Sequence, residues 1–204
     1  MKKQMREEQE NKLQRIKKIE ILKMKREKIL QQYNNLVGEN SSRAREVIMK
    51  LDFRKDAYLL HCIAQTYYDE SLFNDDGSQR EFFVMRKLRL AEKYIIEAYM
   101  INEGCINVLW TLGKIRKAFG QFDLAIYCFK RIIEIGSKKI GEDDNCTNRS
   151  LVKIKVNDSK FQLYRLYHDK SDFTTARKFL SLYKIGLKKD IGTLYKPLKK
   201  FLLD

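Results

Sequence analysis

The sequence predicts an all-α fold built from repeated helix pairs, and three observations carry that prediction. Gly numbers 9 and Pro only 1 among 204 residues, too few chain breakers for the many turns of an all-β fold. Apolar residues recur at spacings of three and four, which gathers each stripe on one helical face. The chain also matches itself at an offset of 34 residues, where Ala125 follows Ala91. An apolar content of 44% supplies a core and argues against wholesale disorder.

Residues 2–37 read as one long helix ending at Gly38, with Ile16, Ile19, Leu22, Ile29, Leu30, Tyr33 and Leu36 forming its apolar stripe. Upstream of Leu13 the stripe gives way to charge. The stretch "SSRAREVIMKL", 41–51, predicts a second helix capped by Ser41 or Ser42. Residues 1–52 therefore read as a basic pair, a long helix plus a short one, that caps the array or forms a degenerate repeat of it.

Residues 53–204 divide into three units, 57–103, 104–137 and 154–188, and a closing segment, 189–204. In the first unit Leu60, Ile63, Ala64 and Tyr67 make one stripe, and Leu88, Ala91 and Ile95 make the second. The insertion around "ESLFNDDGSQREFF" separates them, and Ser78 with Glu81 has the spacing of a capping box that restarts the helix there. The second unit carries Leu109, Leu112 and Gly113, then Phe122, Ala125 and Phe129. The third carries Leu163, Tyr164 and Tyr167, then Phe173, Ala176 and Leu180, after the polar insertion "SKKIGEDDNCTNRSLVK". "GTLYKPLKKFLLD" predicts a short amphipathic closing helix with Pro197 in its first turn.

Gly113 and Gly120 look misplaced in a helical stretch, because each Gly costs a helix interior about 1 kcal/mol against Ala. The pairing resolves this. Gly113 falls where two helices approach closely, and Gly120 falls in the turn between them, where positive φ suits Gly alone.

The middle unit resembles the tetratricopeptide repeat (TPR), a 34-residue helix–turn–helix motif, through Leu109, Leu112, Gly113, Gly120, Phe122, Ala125 and Phe129. The likeness extends over residues 57–187. It implies a right-handed α-solenoid of about three TPR-like repeats, with the long N-terminal helix pair and the C-terminal helix as caps. Tyr164 stands where the family carries Gly, which predicts that the third pair splays.

The resemblance also implies a concave groove lined by the first helix of each repeat, where such arrays take peptides. Off the core stripe those helices offer Tyr58, His61, Gln65 and Tyr68, then Asn107, Trp110, Lys114 and Lys117, then Phe161, Arg165 and His168. Aromatics beside cations suit an acidic segment with bulky anchors. Trp110 reads equally as an anchor or as packing between repeats, Tyr58 and Phe161 read better as packing, and Lys114, Lys117 and Arg165 read better as an ordinary solvated face than as ligand contacts. One tetratricopeptide subgroup clamps a C-terminal carboxylate with Lys, Asn and Arg. The matching faces here carry His61, Gln65, Thr111, Asp158 and Gln162 instead, and Asp158 would repel a carboxylate.

The reading is thus a non-enzymatic interaction module or adaptor for an acidic protein or peptide. No catalytic constellation is present: His61 and His168 lie about 100 residues apart, and glycine-rich phosphate loops are missing. "NDDG" and "GEDDN" lack the alternating spacing of a calcium loop. No cofactor or metal is expected.

The alternative is electrostatic association with nucleic acid. The net charge is +15, and residues 1–30 and 177–200 contribute +6 and +7 of it. Lys outnumbers Arg by 28 to 14, however, and Arg is the better bidentate reader of phosphate and base edges. Self-association through the first helix would make a dimer. No apolar run approaches the roughly 18 residues of a membrane span, and the start has charges where a signal peptide needs apolar residues. A cytoplasmic location is expected, with Cys62, Cys105, Cys128 and Cys146 as reduced packing thiols.

Overall fold

The structure is a computed structural model that describes residues 2–74, 77–136 and 149–195, with backbone alone for residues 2–10. The described residues form eight α-helices: α1 (Lys2–Leu36), α2 (Ser41–Ile48), α3 (Ala57–Leu72), α4 (Met85–Ile101), α5 (Ile106–Ala118), α6 (Phe122–Ile135), α7 (Arg149–Asp169) and α8 (Phe173–Lys188). Phe73 and Gln79 form an isolated antiparallel bridge pair between α3 and α4. The all-α expectation holds.

Helices adjacent in sequence pack on one another, most extensively α3 with α4, α5 with α6 and α7 with α8. In addition α3 meets α5, and α5 meets α7, directly. Three odd-numbered helices thus lie side by side as one layer. The main core joins this layer to α4 and α6 through Leu60, Leu88, Ile95, Leu109, Phe129 and Leu163. A second cluster ties α1 and α2 to the other side of α3 through Ile29, Tyr33, Ala44, Ile48, Leu59 and Ile63. Neighbouring positions on α3 therefore serve different cores.

The two glycines behave as their spacing predicts. A methyl group on Gly113 would stand 2.8 Å from the Phe129 ring, so the absence of a side chain lets α6 close on α5. Gly120 has φ of +72° in the turn joining them. The third pair reaches a similar proximity elsewhere. Tyr164 packs with Phe161, Tyr183 and Leu187, and the close approach moves to Gly186 on α8, where any Cβ would overlap the side chain of Asn157 on α7. α7 and α8 pack extensively, so the third pair does not splay.

Three local expectations are corrected. The cap of α2 is Asn40, whose side chain accepts from the Arg43 N–H at 2.9 Å; Ser41 and Ser42 are already helical. Ser78 and Glu81 form no capping box, because α4 begins at Met85 after Val84, which makes no side-chain cap bond. The backbone between is held to the end of α3 instead, with Arg80 N–H donating to Leu72 C=O and Val84 N–H to Ser71 C=O. On α1 the stripe splits: Ile29 and Tyr33 are buried, whereas Ile16, Ile19 and Leu22 are exposed along with Leu13, Ile21 and Met24.

Cys62, Cys105 and Cys128 are buried and unbridged, and burial pushes the thiols of Cys62 and Cys128 up to about 12. Cys146, most of the second insertion with its "GEDDN" run, and the closing helix with Pro197 lie outside the described residues. Of the second insertion the last residues, from Arg149, extend α7 by one turn ahead of the expected start at 154. Among the described residues no helix is long and apolar enough to cross a membrane, and no group of three His, Cys, Asp or Glu side chains could hold a metal ion.

Candidate functional site

The layer of α3, α5 and α7 carries a polar seam. On α3 the residues His61, Gln65 and Asp69 follow one another at intervals of four and share a face. Gln65 donates from Nε2 to Asp69 Oδ1 at 2.7 Å, which fixes the orientation of its amide. Its Oε1 then accepts from Thr111 Oγ1 at 3.0 Å and from Lys114 Nζ at 3.2 Å, both on α5. The Thr111 proton is committed there, so the contact of 3.1 Å between His61 Nε2 and Thr111 Oγ1 requires His61 to donate from Nε2. Nδ1 of His61 is left as a buried acceptor without a partner among the described residues. Burial, then the fields of Lys155 and Lys114, hold this imidazole well below its ordinary range, so it is neutral.

Lys114 lies over the Tyr68 ring, 4.4 Å from its centroid. Burial lowers the Lys114 ammonium and Asp69 opposes that shift. Asp69 itself is raised, by burial first, against the favourable field of Lys114 and the hydrogen bond from Gln65.

The seam continues from α5 to α7. Lys155 donates to Asn107, and Lys117 Nζ lies 3.5 Å from Gln162 Oε1. Burial first, and then repulsion from Arg165, bring Lys117 down to about 8 despite the opposing field of Asp169. Gln162 in turn donates from Nε2 to the hydroxyl of Tyr195, beyond the end of α8.

The sequence-predicted site residues separate into groups. His61, Gln65, Tyr68, Lys114 and Lys117 come together on the seam, and Asn107 joins it as a buried partner of Lys155. Trp110 turns away. It is buried edge-on against Phe129, with ring centroids 5.6 Å apart, and belongs to the main core. Tyr58 packs in the α1–α2–α3 cluster, and Phe161 is buried against Tyr183. Arg165 is exposed. His168 is exposed too, but at the α7–α8 turn, where its ring meets Phe173 at 5.2 Å.

Lys155, Asp69 and Tyr195 are seam residues the groove reading passed over. Polar residues at 155, 158, 162 and 165 form a stripe at helical spacing within α7, and that signal identifies Lys155; Asp69 follows Gln65 by four on α3. Nothing in the sequence places Tyr195, because its position depends on how the chain turns after α8.

No family model matches the chain, and no curated protein or solved structure is similar enough to count as a match.

Proposed function

We propose that the chain is a non-enzymatic protein-interaction module of about three TPR-like helix pairs, and that the α3–α5–α7 layer takes an acidic segment of a partner protein. The observation that carries this reading is the placement of Lys117 at the α5–α7 seam, its Nζ 3.5 Å from Gln162 Oε1 and beside the exposed Arg165, where burial and Arg165 both disfavour its charge. A cation so placed gains from an incoming carboxylate more than a fully hydrated one does. Lys114 adds a second ammonium next to an aromatic face, suited to a segment that alternates acidic and bulky side chains.

Affinity capture from cell extract followed by mass spectrometry tests it, with wild type compared against a Lys117→Glu, Arg165→Glu double variant. Arg165 is exposed and Lys117 half-buried, and a circular dichroism melt of the variant checks that its fold is kept. Partners should be lost from the variant and recovered from wild type. Equal recovery removes this face as the site.

A second reading rests on α1. Its residues 11–25 are all exposed, including Lys12, Arg15, Lys17, Lys18, Lys23 and Lys25. Such a helix suits electrostatic contact with nucleic acid. Binding to DNA would then weaken steeply with salt, log K falling linearly with log [salt]. Deleting residues 1–15 should weaken retention on heparin while leaving the melting temperature unchanged, since the described side chains removed, 11–15, are all exposed. Absence of retention at low salt ends this reading.

A further inference from the structure

After α8 the chain reverses at Asp190, with φ of +59°, and Ile191–Tyr195 returns along α7. Among the described residues, the backbone ties of this return end at Ile191, whose N–H donates to Gly186 C=O. From Thr193 onward the segment is held by side chains. Both oxygens of Asp158 are engaged: Oδ1 accepts from Thr193 Oγ1 at 2.7 Å and Oδ2 from the Leu194 N–H at 2.8 Å. Thr193 Oγ1 also accepts from the Tyr183 hydroxyl at 2.9 Å. Two residues on, the Tyr195 ring packs against Phe161 at 5.3 Å, and its hydroxyl accepts from Gln162. Leu194, between them, is exposed, and its backbone N–H makes the bond to Asp158.

This is the contact pattern of a peptide in a recognition site. A buried carboxylate reads one hydroxyl and one backbone N–H, an aromatic platform and an amide read a tyrosine, and the intervening side chain lies exposed. Asp158 is itself fully buried in the middle of α7. An ionised carboxylate there is costly without donors, and the donors come from the returning segment. The Tyr195 phenol is also raised, by burial first, and feels the fields of Arg165 on α7 and Tyr68 on α3. It therefore stands beside the same layer as Lys114 and Lys117.

We propose that Asp158, Phe161 and Gln162 form a recognition site for an extended segment reading hydroxyl residue, any residue, tyrosine. The chain's own Thr193–Leu194–Tyr195 occupies the site, and a partner protein carrying the same pattern displaces it. The assignment rests on the reading of the α3–α5–α7 layer as a protein-binding face, and deepens it by naming what lies beside the acidic part of the ligand. Acidic residues of the partner fall toward Lys117 and Arg165, because a carboxylate placed at the Thr193 position would meet Asp158.

The test uses the full chain and a capped peptide Ile-Gly-Thr-Leu-Tyr that copies Ile191–Tyr195. Binding is followed by calorimetry on wild type and on a Thr193→Val, Tyr195→Ala variant. The variant should bind the peptide saturably, and wild type at least about tenfold more weakly, because its tethered segment competes at high effective concentration. A peptide with Val in place of Thr should not bind the variant. A folded variant that binds no peptide, or equal binding by both proteins, overturns the proposal.

Hydrogen exchange on wild type decides the matter should the variant not fold. The Leu194 amide should exchange at least tenfold faster than the amides of Asp158–Gln162, reporting release of the segment without unfolding of α7. Equal rates would make the segment a fixed part of the fold and overturn the proposal. The peptide carries no acidic residue, so a failed capture of acidic partners and a failed peptide titration are separate results.

Discussion

The Phe129 ring occupies the space that a side chain at Gly113 would need, at a distance of 2.8 Å from the missing methyl group. Phe129 is fully buried, and Trp110 meets it edge-on from the same helix as Gly113, so the ring has nowhere to retreat. In an open helix, Gly→Ala gains about 1 kcal/mol. At Gly113 overpacking of about 1–3 kcal/mol opposes that gain, and Gly113→Ala should lower stability in urea denaturation. In the Phe129→Leu background the same substitution should become neutral or stabilising. A Gly113→Ala variant more stable than wild type would show that α5 and α6 are not in close contact there.

Arg45 on α2 is buried against Glu70 on α3, with Nη2 2.8 Å from Oε1, and its guanidinium lies 3.9 Å from the centre of the Tyr67 ring. Lys87 on α4 takes the other oxygen of Glu70 at 2.5 Å from a more exposed position. Glu70→Ala strands the Arg45 charge and should cost about 3–5 kcal/mol. Lys87→Ala leaves the buried pair intact and should cost under about 1 kcal/mol. Chemical denaturation of the two variants checks the ranking, and similar losses would mean that Arg45 finds water when Glu70 is gone.

What the sequence made legible follows from locality. The helices and the Gly113 and Gly120 positions are encoded within a few turns, by spacing and by the conformational range of glycine. The split of the α1 stripe at Ile29 was not legible, because Leu22 and Ile29 are equally apolar and only the neighbouring helices decide which is covered. The Asn40 cap and the start of α4 are hidden in the sequence, because a Ser at capping spacing looks the same whether it lies inside the helix, as Ser41 and Ser42 do, or ahead of it without starting one, as Ser78 does. At the candidate site, the cations Lys114 and Lys117 were visible as off-stripe residues. Trp110 was ambiguous, since every face of α5 from Ile106 to Gly113 is covered. Tyr195 depends on a chain reversal that leaves no periodic trace.

Asp158 makes the fold's stability depend on pH with a definite sign. Burial raises its carboxyl from the ordinary 3.8 to about 6, against the lowering effect of its bonds from Leu194, Thr193 and Tyr183. The folded state therefore binds a proton between pH 4 and 6 that the unfolded chain does not, and stability falls as pH rises through that window. The neighbouring phenols of Tyr183 and Tyr195 are both raised and stay neutral throughout. A shift of about two units corresponds to an upper bound of roughly 3 kcal/mol. Wild type compared with Asp158→Asn should gain stability on acidification from pH 7 to 4.5, read from urea midpoints. A relative loss instead would mean that the three donors outweigh the burial.

Lys117 gives the corresponding signature for binding. Its ammonium titrates at about 8 because burial and Arg165 disfavour the charge, whereas ordinary lysines titrate above 10. A carboxylate brought alongside should raise it again, so binding takes up a proton at pH values near and above 8. Affinity for an acidic partner should accordingly weaken as pH rises from 7 to 9. Lys117→Arg keeps its charge across that range and should flatten the dependence. In the free protein, nuclear magnetic resonance of labelled lysines should show one ammonium near Gln162 losing its proton around pH 8. A Lys117 that titrates with the surface lysines would remove both the pH dependence and the main electrostatic reason for placing an acidic segment on this face.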